Sequence, residues 1–226
     1  HADLEGVGLL LRRYPGTLLH EPGQVLTQGG DPYKVFTPFW RACRAEAVST
    51  PVGVPDVSWH AAIDSETLED WELLPTKPNW AEGWGKLWQP GEEGASKRLK
   101  AFLDGPVEDY GRQRELPAED GTSRLSPHLH HGELSPRQVW SQCEQLKARS
   151  GTSNKEIEKF QSELGWREFS YHLLHFFPTL PEKAFKENFA QFPWSNSKKK
   201  LEAWQRGQTG YPIVDAGMRE LWHTGY

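Results

Sequence analysis

Residues 153–177 read SNKEIEKFQSELGWREFSYHLLHFF and predict the longest helix of the chain. Ser153 and Glu156 have the spacing of a capping box, in which two side chains satisfy free backbone N–H groups at the start of a helix. Apolar residues then recur at helical intervals, and no proline interrupts the pattern before Pro178. This segment therefore predicts a mainly helical protein.

Helix-start signals recur on both sides of this segment. Ser126-Pro127 and Ser135-Pro136 each place a capping residue before a proline in the first turn of a helix. Ser197 marks another helix start and Gly207 its end, and a last helix is predicted for Pro212–Leu221. The second half of the chain is thus predicted to be helical throughout.

The first half of the chain shows more varied signals. Gly8–Arg12 is apolar enough for a buried strand, and Pro38–Arg41 opens a short helix. Prolines and glycines then interrupt residues 51–96 so often that we expect a long linker with little regular structure. The predicted order is strand and turn, then a linker, then helices.

Composition excludes several classes of protein. Charged residues make up 25% and hydrophobic residues 36% of the 226, proportions typical of a soluble globular protein. No apolar run approaches the roughly 20 residues that a membrane helix needs. The two cysteines, Cys43 and Cys143, fit no metal or redox spacing and favour a reducing setting. We therefore expect a cytoplasmic protein without membrane contact.

Charge and aromatic content bear on the ligands. The net charge of −5 gives no bulk electrostatic case for DNA binding, although residues 183–206 lean positive. The eleven tryptophans allow two interpretations, an aromatic core or side chains that serve a planar cofactor, a base or electron transfer.

The string Gly121–Pro127 (GTSRLSP) places hydroxyl groups and a guanidinium directly before a predicted helix start. Backbone amides at a helix start favour an anion, and serine and threonine hydroxyls add donors to its oxygens. The alternative is a well-capped helix without any ligand.

A second constellation lies on the long predicted helix. Glu163, Trp166, Arg167 and Ser170 have spacings that place them on one stripe, which would suit a flat polar ligand. The alternative is an ion pair of Glu163 with Arg167 beside a core tryptophan. An adjoining apolar stripe should pack inward: Ile157, Phe160, Leu164 and Tyr171.

Three histidines follow the hydroxyl string, at His128, His130 and His131. Two of them are adjacent, and no cysteine or carboxylate stands at a matching interval. Zinc ligands need such spacing, so the sequence predicts no metal site.

Four strings occur in the order in which the DNA photolyase/cryptochrome family carries them. They are Tyr33–Phe39 (YKVFTPF), Thr122–Pro136 (TSRLSPHLHHGELSP), Glu163–Phe169 (ELGWREF) and Trp204–Leu221 (WQRGQTGYPIVDAGMREL). The chain therefore resembles this family along nearly its whole length, and most of all the class I cyclobutane-pyrimidine-dimer photolyases.

The resemblance implies an α/β antenna domain followed by a helical domain that binds FAD. It assigns residues 1–40 to the end of the antenna domain, 41–95 to an interdomain helix and linker, and 96–226 to the helical FAD-binding domain. The family's domain continues past the last motif found here, so we expect a fragment, truncated at its C-terminus and inactive alone. An antenna chromophore of folate or deazaflavin type stays open.

The resemblance also implies the site residues. Glu163 would hydrogen-bond a pyrimidine dimer, Trp166 would pack against it, and Trp194 would be the outermost tryptophan of the chain that photoreduces the flavin. The implied FAD contacts are Tyr110, Thr122, Ser123, Arg124, Leu125, Ser126 and Arg167. The implied DNA contacts are Arg114, Glu163, Leu164, Gly165, Trp166, Arg167, Glu168, Phe169 and Ser170.

The implied activity is that of a deoxyribodipyrimidine photo-lyase, a carbon–carbon lyase. Photoexcited reduced FAD would donate an electron to a dimer flipped out of UV-damaged DNA, the cyclobutane bonds would open, and the electron would return. A damaged, badly stacked pair costs less to flip than an intact one. The enzyme is expected to be a monomer.

The main alternative is a cryptochrome, a blue-light-sensing flavoprotein without repair activity. Plant-type cryptochromes tend to lose the two side chains matched by Glu163 and Trp166, so their presence here favours repair. A (6-4) photolyase fits less well, because such proteins carry a different sequence at residues 122–130.

Overall fold

The computed structural model describes residues 6, 8, 14–58, 64–149 and 154–226. All regular structure within these residues is helical, with no strand among them. The prediction of a mainly α chain is therefore confirmed. The strand predicted at Gly8–Arg12 and the capping residue Ser153 lie outside the described residues, apart from Gly8, which is in a turn.

The described residues contain eight α-helices and four 3-10 helices. The predicted starts at Pro136, Lys198 and Pro212 are confirmed. The linker predicted for residues 51–96 contains two 3-10 turns in its described part, but a helix already begins at Glu92, so the linker ends earlier than predicted. The α-helices are α1 (Phe36–Ala45), α2 (Glu92–Leu103), α3 (Tyr110–Gln113), α4 (Ser126–His130), α5 (Pro136–Arg149), α6 (Asn154–Phe176), α7 (Lys198–Gln205) and α8 (Pro212–Thr224). The 3-10 helices are Glu69–Trp71, Trp84–Lys86, Pro106–Asp109 and Glu187–Gln191.

Two serines begin helices as predicted. Ser135 Oγ accepts a hydrogen bond from the N–H of Arg137 at 3.2 Å, and the N–H of Ser135 donates to Gln138 Oε1 at 2.8 Å. This reciprocal pair is a capping box at the start of α5. Ser197 Oγ accepts from the N–H of Lys200 at 3.4 Å and caps α7 through this one hydrogen bond.

Ser126 does not cap α4, so that prediction is wrong. The helix begins at Ser126 itself, and the cap position is held by Leu125 without any side-chain hydrogen bond. Arg124 has left-handed backbone (φ +49°), which turns the chain directly before the helix and starts it one residue early. Ser126 itself is exposed.

The chain divides into two compact units, and the first comprises the described parts of residues 1–52 and 90–187. At its centre α6 packs against α1, α3 and α5. The inward packing predicted for Ile157, Phe160 and Leu164 is confirmed, whereas Tyr171 is exposed. The core of this unit includes Leu19, Phe39, Trp40, Leu99, Phe102, Val107, Val139, Ile157, Phe160, Leu164 and Phe169.

Gly165 allows α1 and α6 to approach closely. A Cβ at this position would lie 2.5 Å from Cε3 of the buried Trp40 ring, a distance that carbon atoms do not tolerate. The glycine therefore gives α6 a flat patch on which the indole of α1 packs. This contact fixes the part of α6 that carries Glu163 and Trp166.

The second unit comprises the described parts of residues 53–89 together with residues 188–226. The Asp215 carboxylate accepts hydrogen bonds from the N–H and Oγ1 of Thr209, at 2.7 and 2.6 Å, and from the N–H of Gly210 at 2.9 Å. The hydroxyl bond of Thr209 is the main reason that the pKa of Asp215 lies below its usual range. This network holds the turn that precedes α8.

Both cysteines are free and buried in the first unit. Cys43 lies on α1 and Cys143 on α5, at 2% and 0% exposure. Burial raises the pKa of each thiol to about 12. Neither thiol is therefore in its reactive form at neutral pH.

No helix in the described ranges is long and apolar enough to cross a membrane.

Candidate functional site

The structure joins two predicted site residues that lie far apart in the sequence. Glu163 Oε1 on α6 accepts a hydrogen bond from Arg114 Nη1 at the end of α3, and both side chains are partly buried. The bond to Glu163 raises the pKa of Arg114, whose guanidinium also lies 5.5 Å from the ring centre of Tyr110. Glu163 therefore pairs with Arg114 and not with Arg167, the partner considered from the helical spacing.

Trp166 forms an aromatic platform at the surface of α6. Its ring stacks on Phe36 of α1 with the centroids 3.7 Å apart and the planes 8° from parallel. Phe36 is in turn nearly parallel to Trp40, at 6.3 Å and 11°. Trp166 is nevertheless 48% exposed, so it is not the core tryptophan of the alternative interpretation. One side of the indole is supported by protein while much of the ring remains accessible.

Arg167 is engaged with the protein backbone. Its guanidinium donates to the carbonyl oxygens of Thr17 and, at 3.5 Å, Leu129, and it lies 4.8 Å from the ring centre of Tyr171. The side chain is 18% exposed. Arg167 thus holds neighbouring segments on α6, and its contact with flavin or DNA stays a prediction.

Glu168 is buried and fastens the segment before α1 to α6. Its carboxylate accepts hydrogen bonds from the N–H of Leu19 at 2.9 Å and of His20 at 3.3 Å. Burial raises the pKa of Glu168 to about 7. The carboxylate serves as an internal anchor for the backbone of residues 19 and 20.

The predicted DNA-contacting segment thus divides by burial. Trp166 and Ser170 are exposed, and Glu163 and Arg167 are half-buried. Ser170 Oγ donates to the carbonyl of Trp166 at 2.9 Å. The side chains available to a ligand are those of the predicted stripe. The members buried in the first unit are Leu164, Gly165, Glu168 and Phe169.

The hydroxyl loop packs against the helix that carries Tyr110. Gly121 is buried, and a Cβ there would lie 2.3 Å from Cβ of Gln113 on α3. Thr122, Ser123 and Arg124 are half-buried and Ser126 is exposed, while Leu125 is buried in the core. Arg124 Nε lies 3.2 Å from Asp120 Oδ1. The loop therefore presents several donors from a fixed backbone.

These residues fit the phosphates of FAD by their donor chemistry. Hydroxyl groups at 122, 123 and 126 and the guanidinium of Arg124 suit anionic oxygens. The five residues of α4 contribute a weak dipole at most, so the side chains and loop amides carry this fit. In addition, His128 is 2% exposed, and its Nε2 has no hydrogen-bond partner among the described residues. An unpartnered buried nitrogen is typical of a site that another group completes.

Tyr110 belongs to the core as well as to the predicted flavin contacts. Its ring meets Phe102 and Phe160 edge-on, at centroid distances of 5.6 and 5.5 Å. Only 6% of the residue is exposed. The aromatic packing therefore fixes the tyrosine against α6.

Trp194 lies in the second unit and is 77% exposed. Its ring centre is 4.7 Å from that of Phe192, with the planes tilted by 53°. Such exposure suits the outer end of an electron relay, and the relay role itself stays a prediction.

The three histidines have separate surroundings. His128 Nδ1 lies 2.5 Å from Glu133 Oε2, whereas His130 and His131 meet edge-to-face at 4.8 Å. Within the part of the chain that the structure describes, no group of three or more His, Cys, Asp or Glu could hold a metal ion.

Phe36 and the anchoring role of Glu168 were missed by the sequence reasoning. Phe36 stands inside the string YKVFTPF, but its contact with Trp166 joins segments that are distant in sequence. A charged residue on the inward side of α6, flanked by Leu164, Gly165 and Phe169, is the signal that could have revealed Glu168 as a buried anchor.

Comparison with known proteins bears on the same regions. Residues 1–56 match the family model described as DNA photolyase, and residues 160–226 match the FAD binding domain of DNA photolyase. The chain is 47% identical over 221 residues to the deoxyribodipyrimidine photo-lyase of Agrobacterium fabrum, covering 96% of this chain and 46% of that protein. The corresponding Synechococcus protein is 40% identical, with coverage of 100% and 48%.

Solved structures agree with these matches. A bacterial class III photolyase from Agrobacterium tumefaciens superimposes with a TM-score of 0.91 at 44% identity, covering 99% of this chain and 47% of that one. A Synechocystis cryptochrome, 24% identical with a TM-score of 0.74 over 99% of this chain and 47% of that one, shares the fold. Arabidopsis thaliana cryptochrome-2 is 33% identical over 97% of this chain and 38% of its own length.

The helical fold and the match to the FAD binding domain of DNA photolyase define the class, a flavin-binding protein. The chain belongs to the DNA photolyase/cryptochrome family, whose cofactor is FAD. It spans about half the length of the curated relatives that it matches. The assignment to class I stays a prediction, since the solved relative at 44% identity is a class III photolyase.

Proposed function

We propose that this chain forms the lesion-binding part of a light-driven enzyme that repairs cyclobutane pyrimidine dimers in DNA. The observation that most directly supports this proposal is the position of the half-exposed Trp166, which stacks on Phe36 and lies one helical turn from the Glu163–Arg114 pair. An indole backed on one side is a stacking surface for an unstacked base, worth about 1–3 kcal/mol per base. A carboxylate beside it adds a directional hydrogen-bond acceptor.

The roles of these side chains follow from their chemistry. Glu163 faces the guanidinium of Arg114, and its carboxylate can accept a hydrogen bond from a ring N–H of a flipped pyrimidine. This hydrogen bond would orient the dimer. Trp166 restores part of the stacking that the dimer loses when it leaves the duplex. Arg114 is partly exposed and supplies a cation for a DNA phosphate close to the same point.

FAD would be held by the hydroxyl loop. Thr122, Ser123 and Ser126 would donate to its phosphates, with Arg124 as the adjacent cation and Tyr110 as a further contact. When bound in its reduced form, FAD supplies the photoexcited electron that opens the cyclobutane ring. We assign Trp194 to electron transfer toward oxidised flavin because of its exposure.

A cryptochrome-type light sensor is the second candidate, supported by the 33% identity to cryptochrome-2 of Arabidopsis thaliana. A sensor needs the flavin loop but not a surface that binds a damaged base. Light-dependent repair therefore separates the two candidates.

The test compares Trp166→Ala and Glu163→Gln in the full-length protein. Trp166→Ala should weaken binding to a dimer-containing oligonucleotide by roughly five- to a hundredfold, because a stacking wall is lost. Glu163→Gln should lower the quantum yield of repair more than the affinity, since its contact matters most when charge reaches the dimer. Flavin content should be unchanged in both.

Trp71→Ala is the matched control, since Trp71 is 56% exposed and lies outside the proposed site. It should bind and repair as the unmodified protein does. If both site variants also bind and repair dimers normally, the stripe is structural and the repair proposal fails.

A further inference from the structure

A groove on the first unit lies between α1, α5 and α6. It has a volume of about 450 Å³, which falls within the usual range for small-molecule sites. Each of the three helices contributes both a wall and at least one polar side chain. None of its lining residues belongs to the predicted flavin or DNA contacts.

Two tryptophans give the groove an aromatic wall. Trp40 and Trp140 meet edge-to-face at a centroid distance of 5.9 Å. Trp40 is buried and held by Gly165, whereas Trp140 is only partly buried. Lys147 Nζ lies 5.9 Å from the centre of the Trp140 ring. The accessible part of this indole is a stacking partner for a flat ring.

Some charged side chains of the groove have partners among the described residues and others do not. Glu144 is satisfied by Lys147 Nζ and by Nε2 of the buried Gln161, both at 2.8 Å. Arg41 and Arg44 stand one turn apart on α1, are exposed, and form no ion pair with any residue that the structure describes. Two available guanidiniums beside an aromatic wall suit a ligand that carries an anionic group.

The remaining carboxylate faces the same groove from α6. Glu158 forms no ion pair within the described residues, so it can accept hydrogen bonds from a ligand. A carboxylate acceptor matches the N–H donors along one edge of guanine, at the ring nitrogen and the amino group. The phosphate of the same molecule would face Arg41 and Arg44.

We infer that this groove binds a guanine nucleotide, with the base beside Trp140 and Glu158 and the phosphate on Arg41 and Arg44. The same chemistry is offered by a free mononucleotide and by an unstacked nucleotide in a single strand. The inference is independent of the proposed repair function, because it uses none of the residues assigned to flavin or DNA.

Isothermal titration of the chain at low ionic strength tests this inference, with GMP as the probe. We expect binding at one site, at least tenfold weaker binding of guanosine, which lacks the phosphate, and weaker binding of AMP, which lacks the adjacent pair of N–H donors of guanine. The double variant Arg41→Gln/Arg44→Gln should weaken GMP binding at least tenfold. Both arginines are exposed, so this variant should fold normally.

Lys155→Gln/Lys159→Gln is the matched control, since both lysines are exposed on α6 and do not line the groove. It should change the affinity for GMP less than twofold. A short guanine-containing single strand that binds tighter than GMP, with the same arginine dependence, would identify the strand as the source. The inference is overturned if neither GMP nor the strand binds at concentrations up to about 1 mM, the range of the weakest specific sites. It is also overturned if the arginine variant binds GMP as tightly as the unmodified chain does.

Discussion

Phe36 determines which side of the Trp166 indole a ligand can use. The two rings lie face to face at 3.7 Å, so that side of the tryptophan is closed. An aromatic pair of this kind contributes about 0.5–1.5 kcal/mol beyond its buried area. The position of a surface tryptophan is thereby set by a residue from another helix.

The variant Phe36→Leu should therefore loosen the platform without removing it. If the proposed function is right, binding of a dimer-containing oligonucleotide should weaken about two- to tenfold, because the free energy of the aromatic pair is lost. The measurement is a fluorescence anisotropy titration in the full-length protein. Phe189→Leu is the control, at a 54% exposed phenylalanine that meets no aromatic ring among the described residues. Unchanged affinity for Phe36→Leu would mean that Trp166 needs no support.

At the scale of elements, Gly165 sets the distance between α1 and α6. Gly165→Ala would drive a Cβ into the Trp40 ring, and overpacking of this kind costs about 1–3 kcal/mol. Alanine is more favourable than glycine inside a helix by about 1 kcal/mol, which offsets part of that cost. We expect a net loss of stability of about 0–2 kcal/mol in chemical denaturation, in place of the gain that alanine brings at an uncrowded helical glycine.

Gly217→Ala is the matched control for this change, because Gly217 lies inside α8 with open space around it. There the same substitution should stabilise α8 by about 0.5–1 kcal/mol. A gain in stability for Gly165→Ala equal to that for Gly217→Ala would show that α1 does not press on α6.

The loop between α3 and α4 is the second element with a measurable role. Replacing Thr122, Ser123 and Ser126 with alanine removes hydrogen bonds that cost about 1.5–3 kcal/mol each when a charged partner loses them. The affinity of the full-length protein for FAD should fall at least tenfold, as read from the flavin absorbance that remains after purification. Alanine at Ser141, Ser162 and Thr179 is the control. If the loop variant retains all of its flavin, the three hydroxyl groups do not bind the phosphates and the loop only leads into α4.

At the scale of the whole molecule, Glu168 links stability to pH. Its pKa of about 7 in the folded chain lies above the ordinary value of 4.5, because burial disfavours the carboxylate. The folded chain therefore binds this proton more tightly than the unfolded chain. The contribution to stability is complete below about pH 4.5 and is lost as the pH rises through 7, in total on the order of 3 kcal/mol.

Glu168→Gln should abolish this dependence. His20 and His172, whose pKa values are lowered by burial, act in the opposite sense, since their contribution is lost as the pH falls below 6.5. The informative quantity is thus the difference in unfolding free energy between the two proteins. That difference should decrease from pH 4.5 to 7 in urea titrations. A constant difference across this range would show that Glu168 keeps an ordinary pKa.

Local signals explain which parts of the fold were predictable. The long helix α6, the cap at Ser135 and the end of α7 at Gly207 follow from spacing within a few residues, and all three were found. The cap at Ser126 was predicted wrongly, because the left-handed backbone of Arg124 is not visible in a string of residue types.

Contacts between distant segments explain what was missed in the site. Helical spacing placed Glu163 and Arg167 on one stripe and suggested that they pair. In the structure Glu163 pairs with Arg114, and Arg167 donates to the carbonyl oxygen of Thr17. A backbone carbonyl has no signature in the sequence, and a cation on another helix competes with one on the same helix. Local periodicity therefore found the stripe and not its pairing.

The buried thiols of Cys43 and Cys143 make local opening of the first unit measurable by chemical labelling. A thiol with a pKa of about 12 does not react with a disulfide reagent until the surrounding helices separate. The labelling rate of each cysteine thus reports how often α1 or α5 detaches from the core. Equal rates would identify one cooperative unit, and faster labelling of Cys43 would identify α1 as the first helix to leave.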